Sequence, residues 1–252
     1  MLNANGMSEY GKRQQILHFL RTADVDIVAI QEPHAKDLDA EFWSSSWPGK
    51  ALWSHYTAFL VKPNMSISLI FQSQDTRILG VHVAKGKMSL DIANLYIPSE
   101  QEARKDFLEH MPFLGERYQV VVGDFNLYPQ ALDHSQRKLR PKREWNSIEQ
   151  KLSPLTDSIR FLHPHEHIFT HRQKNSSNGL TRTRIDHIFL HPELLDVQKQ
   201  ASYNFCPFSD HCLVTSSLVW GENPRFQRGI RDDIMVNPLL QPRHRFKEDQ
   251  KI

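Results

Sequence analysis

Short apolar runs that end in a polar side chain constrain the fold of this chain more than any other feature. Residues 26–31 (DIVAIQ) are rich in β-branched residues and are followed by Glu32. Residues 119–123 (QVVVG) have the same character and are followed by Asp124. Such runs are typical of buried β-strands. Since acids at strand ends are where α/β folds assemble sites from distant parts of the chain, the sequence predicts one shared polar site.

Helical and strand patterns alternate along the rest of the chain. Residues 2–5 indicate the stub of a strand, and Ser8 can cap a helix whose apolar face includes residues 16–20. Further strands are predicted at residues 57–61, 68–71, 78–83, 90–95, 184–190 and 212–219, and further helices at 99–111 and 145–152. Two similar halves predict an α/β (α+β) fold, a four-layer α/β sandwich of two packed mixed β-sheets flanked by helices.

The composition excludes several classes of protein. The 252 residues are 39% apolar, which suffices for a core, and the formal net charge is +2, so any nucleic-acid-binding surface must be local. Two cysteines, Cys206 and Cys212, argue against a disulfide scaffold and fit a reducing compartment. No apolar run reaches the roughly 18 residues of a membrane helix, and residues 1–13 do not resemble a signal peptide. We therefore expect an intracellular monomer, nuclear or cytoplasmic, without a membrane partner.

Polar residues around the predicted strands indicate the chemistry. Asp124 and Asn126 follow one strand. Asp210 and His211 precede another strand, and Asp186 lies inside a third. Carboxylates and amides without a cysteine cluster suit a hard cation such as Mg²⁺ or Mn²⁺. A buried aspartate beside a histidine suits a catalytic dyad, and a metal ion with an imidazolium suits a phosphate oxyanion.

Each feature alone has an ordinary structural explanation, such as a loop acid or an Asp-containing turn, but their order along the chain is more specific. The ordered motifs are LNANG at residues 2–6, IQEPH at 30–34, NLYIP at 94–98, GDFN at 123–126, RIDH at 184–187 and SDH at 209–211. Together they resemble the motifs of the endonuclease/exonuclease/phosphatase superfamily, which includes exonuclease III, the apurinic/apyrimidinic endonucleases and DNase I. The resemblance spans residues 2 to about 220 and implies a DNase I-like fold with its site between the two sheets.

The resemblance implies a metal site and a set of substrate contacts. It makes Glu32 the principal ligand for Mg²⁺, with Mn²⁺ as the alternative, and places Asn3 and Asp210 nearby. It also implies three substrate-binding residues: Asn94, Thr170 and Ser209.

The resemblance implies a catalytic role for five further residues. Tyr96 is expected to contact the scissile phosphate. Asp124 is expected to orient or deprotonate the attacking water, and Asn126 to hold that water or the phosphate. Asp186 is expected to pair with His211, which contacts the phosphate and stabilises the transition state.

The residues of three motifs resemble those found in the endonuclease domain of LINE-type (non-LTR) retrotransposons. These are NANG, QEPH and RIDH, and residues 168–170 (IFT) are similar to a Tyr/Phe-Thr-Phe stretch of that group. Residues 1–220 are therefore the predicted catalytic domain, with a first strand truncated to Met1 and Leu2 before Asn3. Residues 221–252 are a predicted polar tail or linker. Within it, residues 235–240 (MVNPLL) look like the linker that leads to a reverse transcriptase in such elements.

The function predicted first is a DNA endonuclease that nicks one strand and leaves 3′-hydroxyl and 5′-phosphate ends. The alternatives are a phosphatase or phosphodiesterase of a small molecule or lipid on the same fold, repair of abasic sites, and a decayed retroelement remnant without activity. The basic residues between positions 132 and 144 fit either a solvated helix face or contacts to the DNA backbone.

A His-rich patch comprises His163, His165, His167 and His171. Its spacing fails the His-Glu-x-x-His pattern of zinc enzymes, because Phe169 stands where the second histidine would be. We interpret the patch as a solvated loop with one or two phosphate contacts.

Overall fold

The computed structural model describes residues 1–138, 142–174 and 179–219. Its strands are β1 (Leu2–Asn3), β2 (Ile27–Gln31), β3 (Ala51–Trp53), β4 (Thr57–Val61), β5 (Ser66–Gln72), β6 (Ile78–Lys85), β7 (Met88–Tyr96), β8 (Val120–Asp124), β9 (Thr156–Asp157), β10 (His171–Lys174), β11 (Leu180–Thr183), β12 (Asp186–Leu190), β13 (Gln198–Phe205) and β14 (Cys212–Leu218). Its α-helices are α1 (Tyr10–Thr22), α2 (Ala40–Ser45), α3 (Gln101–His110), α4 (Lys142–Leu152), α5 (Ser158–Leu162) and α6 (Pro192–Leu195).

Two mixed sheets organise the described residues. The smaller sheet has the strand order β1-β2-β4-β3, and the larger has β5-β6-β7-β8-β12-β9. Parallel pairing joins β1 to β2 and β7 to β8, whereas the neighbouring pairs β2–β4 and β8–β12 are antiparallel. The hairpins β10–β11 and β13–β14 form separate two-stranded sheets. Asn3 of β1 pairs with Gln31 at the end of β2, and Asp186 at the start of β12 pairs with Asp124 at the end of β8. The polar residues at these strand ends therefore come together.

Helix α1 begins one residue later than the sequence predicts. The side chain of Glu9, rather than that of Ser8, accepts a hydrogen bond from the Gly11 N–H at 3.1 Å and caps the helix. Ser8 instead donates to the carbonyl of His34 at 3.4 Å. The helix buries Ile16, Leu17 and Leu20, which recur at helical spacing and cover the smaller sheet.

The helices and sheets form the predicted four layers. On the larger sheet, Phe107 of α3 and Ile148 of α4 pack in one core with the strand residue Val121. Trp145 packs in the same core. On the smaller sheet, α1 packs against Ile30 and Leu60. The predicted α/β sandwich with mixed sheets is therefore confirmed.

Several elements differ from the sequence expectation. The strand expected at residues 184–190 begins at Asp186, because Arg184 turns into a buried ion-pair cluster. Strands β3, β9, β10, β11 and β13 were not predicted. The predicted tail at residues 221–252 and part of the basic stretch, residues 139–141, lie outside the described residues. In the part of the chain that the structure describes, no helix has the length and apolar character to cross a bilayer.

Candidate active site

A cleft of about 480 Å³ opens where the strand ends meet. Predicted site residues that line it are Glu32, Tyr96, Asp124, Asn126, Asp210 and His211. A larger cavity of about 840 Å³ lies between the sheets and is lined mainly by aliphatic residues. We place the site in the smaller cleft because the ionisable groups converge there.

Glu32 stands at the end of β2 in an unusual backbone conformation. Its φ of +49° lies in the left-handed region, which is costly for a residue with a side chain and recurs at functional sites. Two backbone hydrogen bonds hold this conformation: the Glu32 N–H donates to Tyr56 O, and Gly6 N–H donates to Glu32 O, both at 2.9 Å. As a result the carboxylate is fixed at the cleft.

Asn3 ties two carboxylates together behind the cleft. Its fully buried amide Nδ2 donates to Glu32 Oε1 at 2.8 Å and to Asp124 Oδ2 at 2.9 Å. Its Oδ1 accepts from the backbone N–H of Asn5 at 2.8 Å. The oxygen of Asn3 thus faces the Asn5 backbone, and its nitrogen faces both acids.

Asp124 is a buried acid with an unusual proton affinity. Its Oδ1 accepts from the Asn126 N–H at 2.8 Å. Burial, together with the charge of Asp186, raises the pKa of Asp124 to about 7, against the opposing effects of His211 and the Asn126 and Asn3 hydrogen bonds. A pKa near neutrality suits a group that takes a proton from water.

Asp186 and His211 form the predicted pair. The His211 Nδ1–H donates to Asp186, with distances of 2.9 and 3.0 Å to its two oxygens. Burial alone would lower the pKa of His211. The charge and hydrogen bond of Asp186, together with the charges of Asp124 and Asp210, outweigh burial and raise this pKa to about 9. The imidazole is therefore charged at neutral pH. Its Nε2 lies 3.9 Å from Asp124 Oδ2, on the cleft side.

Tyr96 reaches the cleft from the end of β7. Burial, and then the charge of Glu32, raises the pKa of Tyr96 well above its usual range, so its hydroxyl remains a donor. The ring stacks on Tyr56 with centroids 5.4 Å apart. Arg77 lies over Tyr56, with Cζ 3.9 Å from the ring centre. Tyr56 and Arg77 thus support Tyr96, and no sequence motif pointed to either residue.

The oxygen donors at the cleft fit a hard divalent cation. Glu32 and Asp210 both line the cleft. The imidazole of His171, whose Nε2 lies 3.7 Å from Asp210 Oδ2, holds the pKa of Asp210 well below its usual range, so this carboxylate is ionised at neutral pH. Ionised carboxylates with amide oxygens are the ligands that Mg²⁺ and Mn²⁺ prefer. Glu32 and Asp210 would hold such an ion.

The three predicted substrate contacts, Asn94, Thr170 and Ser209, are buried and form hydrogen bonds to protein groups. Asn94 is fully buried: its Nδ2 donates to the carbonyls of Ile30 and Ala58 at 2.9 and 3.0 Å, and its Oδ1 accepts from Gln31 Nε2 at 2.5 Å. Asn94 therefore joins the two sheets, since Ile30 and Ala58 belong to the smaller sheet and Asn94 to the larger.

Thr170 and Ser209 form hydrogen bonds to the backbone of other predicted site residues. Thr170 is fully buried, and its Oγ1 accepts from the N–H of Asp186 at 3.2 Å. The Ser209 hydroxyl donates to the carbonyl of Asn3 at 2.7 Å and accepts from the His211 N–H at 3.1 Å. These hydroxyls fix the backbone beneath the residues that face the cleft.

The role of Asn94 predicts a loss of stability. In Asn94→Ala, the buried Gln31 amide loses the acceptor of its Nε2. We expect the free energy of unfolding to fall by about 1–3 kcal/mol, the cost of an unsatisfied buried polar group. Urea denaturation measures the change, with exposed Asn64→Ala as the matched control. Equal stability of the two variants would contradict the sheet-joining role.

Eight cleft residues were not assigned a role from the sequence: Asn5, Ser99, His134, His171, Gln173, Thr181, Thr183 and Ile185. Asn5 belongs to the LNANG motif, and its Nδ2 donates to Asp210 Oδ1 at 3.2 Å. Asn5 could therefore have been predicted from the LNANG motif, and His171 from its place in the His-rich patch.

A family model and a curated relative match most of the chain. The model of the Endonuclease/Exonuclease/phosphatase family matches residues 2–211. The Transposon TX1 uncharacterized 149 kDa protein of Xenopus laevis is 26% identical over 231 residues, which cover 85% of this chain and 17% of that protein. The chain thus spans less than a fifth of the length of this relative.

Solved structures share the fold. An AP endonuclease from Archaeoglobus fulgidus superposes with a TM-score of 0.68 at 18% identity, covering 86% of this chain and 97% of that one. The endonuclease domain of TRAS1, a telomere-specific non-LTR retrotransposon, gives 0.57 at 13% identity, covering 84% and 95%. The resemblance inferred from the ordered motifs is confirmed: the chain belongs to the Endonuclease/Exonuclease/phosphatase family.

Proposed function

We propose that the chain is a Mg²⁺-dependent DNA endonuclease that nicks one strand of a duplex and leaves 3′-hydroxyl and 5′-phosphate ends. The observation that supports this most is the convergence of Asp124, the Asp186–His211 pair and the carboxylates of Glu32 and Asp210 at one cleft. They supply a proton acceptor, a cationic donor and hard-metal ligands, which phosphodiester hydrolysis needs. Similarity to retrotransposon proteins supports DNA as the substrate.

Asp124 takes the proton of the attacking water. As the water oxygen forms its bond to phosphorus, the bond from phosphorus to the 3′ oxygen breaks, and this oxygen takes a proton from solvent. The phosphate therefore stays on the 5′ side. Asn126 follows Asp124 with a φ of +50° and is proposed to help orient the water. A pKa of about 7 lets Asp124 act near neutral pH.

Two donors face the charge that develops on the phosphate. His211⁺ donates from Nε2 to a non-bridging oxygen, since its Nδ1 is occupied by Asp186. The Tyr96 hydroxyl is the second donor and remains protonated. Such preorganised donors stabilise the transition state because they need no rearrangement when charge appears. Glu32 and Asp210 would hold a divalent ion, which would supply Lewis-acid stabilisation of the same charge.

The hairpin β10–β11 is proposed to contact the DNA backbone. Gln173 and Thr181 of this hairpin line the cleft. Arg172 and Arg182 are exposed and stand directly opposite each other across the two strands. Like charges in this position are destabilising, so the pair indicates an anionic partner. Two phosphates of the DNA backbone would neutralise both charges.

The hairpin arginines predict the salt dependence of DNA binding. In Arg172→Ala and Arg182→Ala, the slope of log affinity against log salt concentration should become shallower by about 0.9 for each lost phosphate contact. Fluorescence anisotropy of a labelled duplex in EDTA measures binding without cleavage. Arg117→Ala is the matched control, because Arg117 is exposed and lies beside Phe71, outside the cleft. If this salt-dependence slope is unchanged in both hairpin variants, the proposed phosphate contacts are excluded.

Glu32 predicts the metal requirement. Glu32→Gln keeps the size of the side chain and removes the charge that would hold the ion. We expect the nicking rate to fall about 100-fold, because a Lewis acid supplies several kcal/mol of stabilisation, and the Mg²⁺ concentration for half-activation to rise. Retention of the wild-type rate at low Mg²⁺ would exclude Glu32 as a ligand.

A panel of substrates tests the proposed function against its alternatives. The full chain is incubated with supercoiled plasmid, an abasic-site duplex or an inositol phosphate, in Mg²⁺ or EDTA. We expect undamaged plasmid to be nicked in Mg²⁺ and not in EDTA. Cleavage confined to the abasic duplex would replace the proposal with repair activity, and phosphate release from the inositol phosphate without nicking would replace it with a phosphatase.

A further inference from the structure

Two histidines and an aspartate meet on one wall of the cleft. The ligand atoms of His171, Asp210 and His211 all lie within 4.8 Å of one another. Nε2 of His171 is 3.7 Å from Asp210 Oδ2, and the centroids of the two imidazole rings are 4.5 Å apart. The cluster thus offers two nitrogen donors and one oxygen donor to a single point.

The backbone sets the two histidines side by side. His171 and His211 are opposite each other in an antiparallel bridge. Hydrogen bonds flank this bridge on both sides, from Arg172 N–H to Asp210 O at 3.1 Å and from Cys212 N–H to Thr170 O at 2.7 Å. Residues directly opposite in such a pair project their side chains to the same face. The imidazoles are therefore prearranged by main-chain pairing.

Both histidines have their other ring nitrogen occupied. His211 Nδ1 bonds Asp186 at 2.9 Å, and His171 Nδ1 bonds Thr183 Oγ1 at 3.3 Å. In each ring Nε2 remains for a ligand: His171 Nε2 lies 3.7 Å from Asp210 Oδ2, and His211 Nε2 lies 3.9 Å from Asp124 Oδ2. Histidines that bind metals almost always use one nitrogen for the ion and anchor the other to a carboxylate, carbonyl or similar group. The outer partners of a metal site are thus already in place.

The two carboxylate oxygens of Asp210 have different neighbours. Its Oδ1 accepts from Asn5 Nδ2 at 3.2 Å. Its Oδ2 is the oxygen nearest to His171. The oxygen-rich half that includes Glu32 suits Mg²⁺, whereas two imidazoles with one carboxylate suit Zn²⁺ and leave its fourth position open.

We propose that His171, Asp210 and His211 form a binding site for Zn²⁺, and that its occupation inhibits cleavage. Zn²⁺ would displace the proton of His211 Nε2 into solvent and bind this nitrogen, which is then lost as a donor to the phosphate. The binding site stands on its own geometry, while the inhibition rests on the proposed nuclease function.

Calorimetric titration of Zn²⁺ into the full chain in saturating Mg²⁺ tests the site, with visible absorption of Co²⁺ as a second readout of nitrogen ligands. We expect one site that survives excess Mg²⁺. His171→Asn should weaken Zn²⁺ binding by about 100-fold or more, and Thr183→Val by about 10-fold, because ligand anchors contribute 10–100-fold to affinity. Circular dichroism confirms that the variants are folded.

Two controls separate this site from other metal binding. His163→Asn removes a histidine that pairs with Glu166 outside the cluster and should leave Zn²⁺ affinity unchanged. Glu32→Gln should weaken Mg²⁺ binding and leave Zn²⁺ affinity unchanged. Wild-type Zn²⁺ affinity in His171→Asn, or no Zn²⁺ binding by the wild type in Mg²⁺, would overturn the site.

Nicking in Mg²⁺ with increasing Zn²⁺ tests the inhibition. Half-inhibition should occur at the measured Zn²⁺ dissociation constant, and His171→Asn should tolerate about 100-fold more Zn²⁺, in proportion to its lost affinity. Zn²⁺ binding without inhibition would overturn the inhibitory role. If plasmid is not nicked even without Zn²⁺, the nuclease proposal fails, and the calorimetric result still decides the metal site.

Discussion

Replacing His211 by alanine is expected to slow nicking by about 10²–10³-fold, the loss typical of one charged donor to a transition-state oxyanion. The expectation rests on the buried pair: Asp186 is fully buried and bonds His211 Nδ1 at 2.9 Å. A buried carboxylate is costly unless it is paired, and here the pairing keeps the imidazole charged and turns Nε2 to the cleft. Asp186→Asn should therefore cause a similar loss, although residue 211 itself is unchanged.

The double variant shows whether Asp186 and His211 act as one unit or independently. If Asp186 acts through His211, His211→Ala with Asp186→Asn should be little slower than the slower single variant, because residues that act as a unit are non-additive. Single-turnover nicking of plasmid gives the rates, at matched folding by circular dichroism. Ser202→Ala is a control with a hydroxyl bonded to Thr215 away from the cleft. Losses that multiply in the double variant would exclude the pair as one unit.

Arg184→Met is expected to lower the free energy of unfolding by about 3–5 kcal/mol, the usual effect of removing one partner of a buried ion pair. Arg184 is fully buried, with Nε 2.7 Å from Asp133 Oδ1 and Nη1 2.6 Å from Asp157 Oδ2. Methionine keeps much of the volume but leaves both carboxylates without this cation. Arg160 still contacts Asp133, at 2.5 Å, so the loss falls most on Asp157.

The pH dependence of this loss identifies its cause. Burial would raise the pKa of Asp157, but the charge of Arg184, followed by the hydrogen bond with His187, holds it well below its usual range. The pKa of Asp157 is thus lower in the folded than in the unfolded chain. The ion pair of Asp157 with Arg184 therefore stabilises the fold fully when the pH is above the unfolded pKa of about 3.9. This stabilisation is lost as the pH falls below that value toward the folded pKa. The deficit of Arg184→Met should be full at pH 7 and shrink in acid.

Urea denaturation between pH 7 and pH 3 measures that deficit. The matched control is Arg21→Met at an exposed position of α1, which we expect to change stability by less than about 0.5 kcal/mol. A deficit that stays constant down to pH 3 would show that packing, rather than charge, causes the loss.

The sequence predicted the strand ends well because their signal is local. Glu32 and Asp124 each follow an apolar run, and such runs form strands wherever they are buried. The pairing of Asp186 with His211 came from the family resemblance, because the residues lie 25 positions apart and no spacing rule joins them. Asp186 and His187 point to opposite faces, as strand alternation requires, and His187 lies 3.0 Å from Asp157.

Substrate contacts and exposed strands could not be predicted in the same way. Asn94, Thr170 and Ser209 are short polar residues whose partners depend on tertiary packing, and each bonds protein groups in the structure. The strand β13 (QKQASYNF) has no apolar alternation, since most of it is exposed. The hairpin β10–β11 lacks alternation for the same reason. Such strands form because they pair with neighbouring strands, and their composition differs little from that of loops.

The ends of the cut DNA test the central claim most directly. A duplex labelled on each strand in turn is incubated with the full chain in Mg²⁺, and the nicked product is treated with DNA ligase without a kinase or phosphatase. We predict a nick in one strand that the ligase reseals, because a 3′-hydroxyl and a 5′-phosphate are adjacent. Absence of nicking in Mg²⁺, or a nick that reseals only after its ends are repaired, would contradict the proposed reaction.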